Sequence, residues 1–181
     1  MRRGVKFLSK YYPDYLLIGR VARNIYAIPE TTLDIDFLVD LDDKLRLSEL
    51  MQNLPLDSQI FPKDLGHWQY RLVVRGIRID LVKPKGFILT EEVISRRRIV
   101  NLEKVGKIQV ISPEDLALLY VLASMERGVR DLIKAKDVMD YSRARHDFNT
   151  DYFLKRCNEH KVIPLCIKLI SLDKVDKFPV L

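Results

Sequence analysis

The segment Thr32–Asp40 constrains this chain of 181 residues most, because two aspartates alternate there with large apolar side chains. Successive side chains of a strand point to opposite faces, so Asp34 and Asp36 would share one face while Ile35 and Phe37 point to the other. Two carboxylates about 4 Å apart repel each other by about 4 kcal/mol at an effective dielectric constant near 20, so a fold that places them together normally supplies a cation. The segment therefore predicts a strand that carries a cation site.

The cation expected at Asp34 and Asp36 is Mg²⁺, because the candidate ligands are hard oxygens and no histidine or cysteine lies near them in the sequence. An isolated Asp-x-Asp pattern has a simpler explanation, in which Asp34 is a turn residue or helix cap and Asp36 lies at the surface. The surrounding segments are needed to decide between the two.

Composition favours a globular protein with anionic partners. The formal net charge of +6 and the pI of 9.3 suit nucleotides or RNA as partners.

No apolar run approaches the roughly 20 residues that cross a bilayer, and the N-terminus lacks a signal-peptide pattern, so we expect a cytoplasmic protein that does not contact membranes. Cys157 and Cys166 show no metal-ligand spacing with His160, and we interpret them as reduced structural thiols.

A glycine follows the first predicted strand. The apolar run Tyr15–Ile18 ends at Gly19, and a helical pattern begins at Val21. Backbone N–H groups at such a strand-to-helix junction can hold a phosphate, which makes Gly19 and Arg20 candidate binding residues. The alternative is a glycine that serves only a tight turn.

A third aspartate lies in a predicted hairpin. Trp68–Val74 and Ile77–Val82 both alternate in hydrophobicity, and Arg75-Gly76 between them allows a tight reversal. Asp80 is then a charge flanked by core residues. It is either a site residue or a charge that protects an edge strand from aggregation.

Capping residues mark where several helices begin. Ser112-Pro113-Glu114-Asp115 is a strong helix start, Thr90 opens a short helix that the arginines at 96–98 close, and Asp42-Asp43 cap a helix that ends at Pro55. The apolar stripe expected on that last helix consists of Leu45, Leu47, Leu50 and Met51. Further elements are expected as a strand at Ser58–Phe61, a hairpin of Ile99–Leu102 with Lys107–Ile111, and helices at Arg2–Tyr11, Val129–Arg145, 150–160 and from Pro164 onward.

Taken in order, Ile18-Gly19-Arg20, Asp34-Ile35-Asp36 and Ile79-Asp80-Leu81 resemble the nucleotidyltransferase superfamily to which DNA polymerase beta belongs. The flanking residues 17–22 and 32–39 are similar to a small prokaryotic branch that includes abortive-infection toxin nucleotidyltransferases. Ser112–Leu116 and Lys136–Asp140 match the helical signature of that branch. The resemblance spans roughly residues 12 to 142.

The resemblance implies an α/β (α+β) fold: a mixed β-sheet flanked by helices, with further helices at the C-terminus. It implies a nucleotidyltransferase core at residues 1–111 and a helical region packed on that core at residues 112–181.

The implied activity is metal-dependent transfer of a nucleoside monophosphate from a nucleoside triphosphate to a hydroxyl group. The acceptor would be an RNA such as tRNA, a protein or a small molecule. Two Mg²⁺ ions are expected. The implied catalytic and metal-binding residues are Asp34, Asp36 and Asp80, and the implied nucleotide-binding residues are Gly19, Arg20 and Thr32.

Two residues depart from the family pattern. Arg20 stands where a small residue is usual, and Glu30 stands where an arginine is common. Arg20 would crowd the phosphates, bind them through its guanidinium, or pair with Glu30.

Two other functions remain open. One is a catalytically inactive nucleotidyltransferase-fold binding module, for example a toxin–antitoxin component. The other is an oligomer or partner surface on the C-terminal helices.

Overall fold

The computed structural model describes residues 2–66, 68–74, 76–103 and 105–172. These residues form two compact units. Unit 1 comprises the residues up to Ala22, Glu30–Lys85 and Leu89–Ile111, and unit 2 comprises Arg23–Pro29, Gly86–Ile88 and the residues from Ser112 onward.

Unit 1 is built on a β-sheet. Its strands are β1 (Leu16–Ile18), β2 (Asp34–Leu38), β3 (Ser58–Pro62), β4 (Gln69–Val74), β5 (Ile77–Val82), β6 (Arg98–Leu102) and β7 (Gly106–Val110). Within the described residues these form one seven-stranded sheet in the order β3-β4-β5-β2-β1-β7-β6. The pairs β2–β5 and β1–β7 are parallel and the others are antiparallel. The predicted α/β class with a mixed sheet is confirmed.

The helices are α1 (Arg2–Tyr11), α2 (Gly19–Tyr26), α3 (Lys44–Gln52), α4 (Glu91–Ser95), α5 (Pro113–Arg127), α6 (Val129–Ala144), α7 (Thr150–Glu159) and α8 (Ile163–Ser171). Helix α2 begins in unit 1 and ends in unit 2, and α5–α8 belong to unit 2. Within the described ranges, no helix is both long and apolar enough to span a membrane.

One face of the sheet is apolar and covered. Phe37, Leu72 and Leu81 on it are each fully buried. Helix α1 lies against this face, since a β-carbon on Gly4 would stand 2.7 Å from Ile79 Cδ1. The small residue therefore lets α1 approach the sheet closely, and the polar side chains of β2, β4 and β5 occupy the opposite face.

Unit 2 is held by a buried polar cluster as well as by apolar packing. Ser112 caps α5 by accepting from the Asp115 N–H at 3.1 Å, as predicted from the sequence. The Asp115 carboxylate accepts from Tyr152 Oη at 2.8 Å and from Arg156 Nε at 3.2 Å. Arg156 and Asp115 are both buried, so this ion pair joins α5 to α7 without access to water.

One local expectation differs from the structure, and two others agree with it in the described residues. On α3, Leu47 and Leu50 are buried, but Leu45 is 79% exposed and Met51 is 38% exposed. The arginines at 96–98 close α4 as expected: the helix ends at Ser95, Arg96 is its C-cap, and Arg98 already belongs to β6. The antiparallel pairing of β4 with β5 is confirmed, whereas Arg75 of the predicted turn lies outside the described residues.

The expectation of reduced cysteines is wrong. Cys157 of α7 and Cys166 of α8 form a disulfide, with Cα atoms 6.5 Å apart. The chain reverses after His160, where Lys161 adopts a left-handed conformation at φ 58°. This reversal brings residues nine positions apart together, and metal-ligand spacing in the sequence carries no information about it.

Candidate active site

A row of residues crosses the polar face of the sheet in unit 1. Asp36 is in register with Ile18 on one side and with Asp80 on the other. Asp80 is in register with Arg71, and Arg71 with Phe61. In-register partners on neighbouring strands point to the same face, so the row is continuous across five strands.

The structure brings the three predicted aspartates onto this one face. Asp36 and Asp80 are direct neighbours on the parallel strands β2 and β5, and Asp34 lies two residues before Asp36 in register with Arg78. The alternation predicted for Asp34 and Asp36 is therefore present. Because the three carboxylates come from only two adjacent strands, their spacing is set by the register of that pair.

Asp36 lies directly against the glycine at the β1–α2 junction. Gly19 has φ +66°, and a β-carbon built there would overlap the Asp36 carboxylate and stand 2.8 Å from its Cγ. Only glycine combines this backbone conformation with such a close approach at low cost. The junction therefore holds the Asp36 carboxylate next to the first backbone atoms of α2.

The Asp36 carboxylate has no hydrogen-bond donor or ion-pair partner within the described part of the chain. Burial raises its pKa to about 6, and the negative charges of Asp80 and Asp34 add to that effect. Lys63 and Arg20 act in the opposite direction but from a distance. Asp36 is thus a carboxylate whose charge the protein itself leaves poorly compensated.

The negative charge of Asp80 is fully compensated by neighbouring cationic side chains. Its side chain is 4% exposed, and Arg71 binds it bidentately through Nε to Oδ1 at 2.8 Å and Nη2 to Oδ2 at 2.9 Å. Lys63 Nζ donates to Oδ2 at 2.6 Å. Burial acts to raise the pKa of Asp80, but the hydrogen bonds from Arg71 and Lys63 outweigh it and lower the pKa below its usual value. The same hydrogen bonds raise the pKa of Arg71.

The negative charge of Asp34 is partly compensated. Arg71 Nη2 donates to its Oδ2 at 3.0 Å, so the Arg71 guanidinium bridges Asp34 and Asp80. Arg78 Nε lies 3.6 Å from Asp34 Oδ1, too far for a hydrogen bond. Asp34 Oδ1 is buried and accepts no hydrogen bond.

The residues predicted from the sequence for this site did not include Arg71, Lys63 and Arg78. The alternation of β4 does place Arg71 on its polar face, which was an available signal. Lys63 follows the end of β3, and only the pairing of β3 with β4 brings it to Asp80.

The predicted nucleotide-binding side chains are engaged locally. Arg20 Nη1 donates to the Thr31 carbonyl at 3.1 Å, and Arg20 Nε lies 3.9 Å from Glu30 Oε2. The predicted pairing of Arg20 with Glu30 is therefore present. Thr32 Oγ1 donates to the Asp34 carbonyl at 3.2 Å, just before the first carboxylate of the site.

The helical signature of the resemblance lies in unit 2. On α6, Lys136 is buried and donates to Asp140 at 2.5 Å. Asp137 of the same helix accepts from Arg23 at 2.5 Å, and Arg23 is also buried. These residues form tight ion pairs inside unit 2.

The donor set fits a divalent cation at Asp34 and Asp36. Among the described residues, Asp36 has no partner and Asp34 Oδ1 is a buried oxygen without a donor, so both have lone pairs for a hard cation such as Mg²⁺. Asp80 does not fit as well, because its oxygens already accept three hydrogen bonds. In the described residues, no three histidine, cysteine or acidic side chains form a ready-made metal cluster.

Comparison with known proteins finds likeness in structure only. No family model matches this chain, and no curated protein matches it in sequence. TM1012 from Thermotoga maritima, described as a candidate nucleotidyltransferase, is 17% identical with a TM-score of 0.46, over 69% of this chain and 88% of that one. The antibiotic-resistance factor ANT(2'')-Ia is 11% identical with a TM-score of 0.47, over 89% of this chain and 100% of that one.

JHP933 from Helicobacter pylori is 17% identical with a TM-score of 0.46, over 94% of this chain and 77% of that one. Identities below 20% and TM-scores below 0.5 carry neither an activity nor a substrate from these proteins to this chain.

Proposed function

We propose that this protein transfers a nucleoside monophosphate from a nucleoside triphosphate to a hydroxyl group. The acceptor oxygen attacks the α-phosphorus and forms a new P–O bond. The bond from the α-phosphorus to the bridging oxygen breaks, pyrophosphate leaves with its electron pair, and the acceptor proton passes to solvent. The reaction asks the protein mainly to position groups and to balance negative charge.

Asp34 and Asp36 are the residues that would hold Mg²⁺. When bound, the ion neutralises charge on the carboxylates and on the triphosphate. The backbone N–H groups at Gly19 and Arg20 bind phosphate oxygens at the start of α2. The Arg20 guanidinium itself is held by the Thr31 carbonyl and lies near Glu30.

The position of Asp36 carries this proposal. Its carboxylate lies on Gly19 at the strand-to-helix junction, is in register with Asp80, and has no compensating partner in the described residues. An uncompensated, half-buried carboxylate costs stability, so its presence beside two other carboxylates favours a functional role.

A transfer assay tests the proposal. The protein is incubated with each α-labelled nucleoside triphosphate and Mg²⁺, and with tRNA, total RNA, protein or small hydroxyl compounds as acceptor. We expect label on one acceptor class with the wild type and none with Asp36→Asn, which keeps its fold by circular dichroism. The matched control is Asp57→Asn, the same chemical change at an exposed position, and it should transfer as the wild type does. Full activity of Asp36→Asn would refute the assignment.

The second candidate is a nucleotidyltransferase-fold binding module without catalysis, for example a toxin–antitoxin component. The observation that favours it is the neutralisation of Asp80 by Arg71 and Lys63, which needs no metal ion. Thermal shifts with ATP, with Mg²⁺ and with both separate the candidates. Greater stabilisation by ATP with Mg²⁺ than by ATP alone supports the enzyme, and equal stabilisation by ATP with and without Mg²⁺ supports the binding module.

Assembly and location belong to the same proposal. Helix α8 exposes Ile167 at 54%, which suits an oligomer or partner surface on the C-terminal helices. Light scattering tests this, and a monomer at all concentrations argues against self-association. A cytoplasmic location stays a prediction.

A further inference from the structure

We propose that Asp80 is a positioning residue, which holds Arg71 and Lys63 as permanent cations of the site, and that these two side chains bind phosphate oxygens of the nucleotide. The resemblance to nucleotidyltransferases implied instead that Asp80 binds a metal ion. This inference rests on the proposed function and deepens it.

The lone pairs of Asp80 are the first argument. An ionised carboxylate offers about four lone-pair positions. Three of these accept hydrogen bonds, from Arg71 Nε, Arg71 Nη2 and Lys63 Nζ, at 2.8, 2.9 and 2.6 Å. A metal ion at Asp80 would have to displace a bidentate guanidinium pair from a side chain that is 4% exposed. One lone pair of Asp80 is left, whereas Asp36 and Asp34 Oδ1 accept no hydrogen bond within the described residues.

Charge balance is the second argument. The three carboxylates carry three negative charges, and Arg71 and Lys63 return two positive charges within hydrogen-bond distance. The remaining single negative charge is met by one divalent cation. Before a nucleotide brings its own negative charges, two divalent cations would leave an excess of three positive charges around buried oxygens, without counting Arg78.

The unused donors are the third argument. A guanidinium has five N–H groups and an ammonium has three. Arg71 uses three on Asp80 and Asp34, and Lys63 uses one on Asp80. In the part of the chain that the structure describes, both N–H groups of Arg71 Nη1 and two of Lys63 Nζ therefore make no hydrogen bond. The side chains are 18% and 29% exposed, so a ligand can reach them. Fixed cationic donors of this kind match the oxygens of a triphosphate.

Metal binding tests the role of Asp80 without any catalytic readout. Free Mn²⁺ is measured by electron paramagnetic resonance during titration of the purified protein. We expect Asp36→Asn to weaken Mn²⁺ binding about tenfold or more, Asp80→Asn to stay within about threefold of the wild type, and Arg71→Met to strengthen binding, since that change frees oxygens of Asp34 and Asp80.

The double variant Asp80→Asn/Arg71→Met protects this test against misfolding, because it removes both members of the buried ion pair. It should bind one Mn²⁺ about as the wild type does. Loss of Mn²⁺ binding in either Asp80 variant, to the extent seen with Asp36→Asn, would make Asp80 a metal ligand and overturn the inference. Failure of the proposed function has a different pattern: Asp36→Asn then binds Mn²⁺ like the wild type.

Nucleotide binding tests the phosphate role. ATP is titrated in the presence of a chelator, so that the measured affinity reports the cationic side chains of the protein and no bound metal ion. We expect Arg71→Met and Lys63→Met each to weaken ATP binding about tenfold, with Arg71→Lys in between, whereas Arg46→Met, a change at an arginine on α3, has no effect. Unchanged ATP affinity in both Met variants would overturn this part of the inference.

Discussion

Replacing Asp36 with asparagine should make the metal-free protein more stable while it abolishes transfer. Burial and two neighbouring negative charges raise the pKa of Asp36 from 3.8 to about 6. At 1.36 kcal/mol per pKa unit, ionisation of Asp36 in the folded protein costs about 3 kcal/mol. Asparagine has nearly the same shape and no charge, but its amide is also desolvated, so we expect a gain of about 1 to 3 kcal/mol near pH 8.

The raised pKa of Asp36 also determines how the stability difference between the variant and the wild type changes with pH. Below pH 3.8 Asp36 is protonated in both states and contributes no penalty. Between pH 3.8 and about 6 the folded protein retains a proton that the unfolded chain has released, so the contribution of Asp36 to stability falls as pH rises. Above about pH 6 the penalty is complete. The stability advantage of Asp36→Asn should therefore be small at pH 4 and full at pH 8.

Thermal denaturation in a chelating buffer measures this advantage. For a chain of this size, 1 kcal/mol shifts the melting temperature by about 2 to 4 °C, so we expect a rise of about 2 to 12 °C at pH 8. Asp57→Asn is the control and should melt as the wild type does at both pH values. Adding Mg²⁺ should narrow the difference, since the ion compensates only the wild-type carboxylate. A melting temperature for Asp36→Asn at or below that of the wild type at pH 8 would refute the reasoning.

Three further predictions concern the glycine at the β1–α2 junction, the pair of Arg20 with Glu30, and the disulfide. Gly19→Ala should lose more stability than Gly76→Ala, because both have positive φ but only at position 19 does the β-carbon meet a carboxylate; equal melting temperatures would contradict this. Glu30→Ala should cost at most about 1 kcal/mol by urea denaturation, since its pair with Arg20 spans 3.9 Å and is half exposed, and a larger loss would show a further role. Cys157→Ser should cost about 2 to 3 kcal/mol more under oxidising conditions than after reduction, which thermal melts with and without reductant compare.

Local chemistry made most of the elements predictable from the sequence. Asp43, Thr90 and Ser112 each accept a hydrogen bond from the first turn of the helix that follows, and such caps depend only on residues three apart. The alternation of β2 likewise puts Asp34 and Asp36 on one face without reference to any other strand. Helix α3 departed from its pattern, because which apolar residues become buried depends on the surface the helix meets.

The sequence by itself determined the strands, the capped helices, the shared face of Asp34 and Asp36, and the glycine at the β1–α2 junction. Only the tertiary structure decided that β5 lies beside β2, and that β4 then brings Arg71 across to Asp80 and Asp34. The physical reason is that periodicity orients side chains within one strand, whereas the neighbours of a strand are chosen by packing between segments far apart in the chain. For the same reason, the spacing of the two cysteines in the sequence did not predict the disulfide. It forms because the chain turns back between α7 and α8.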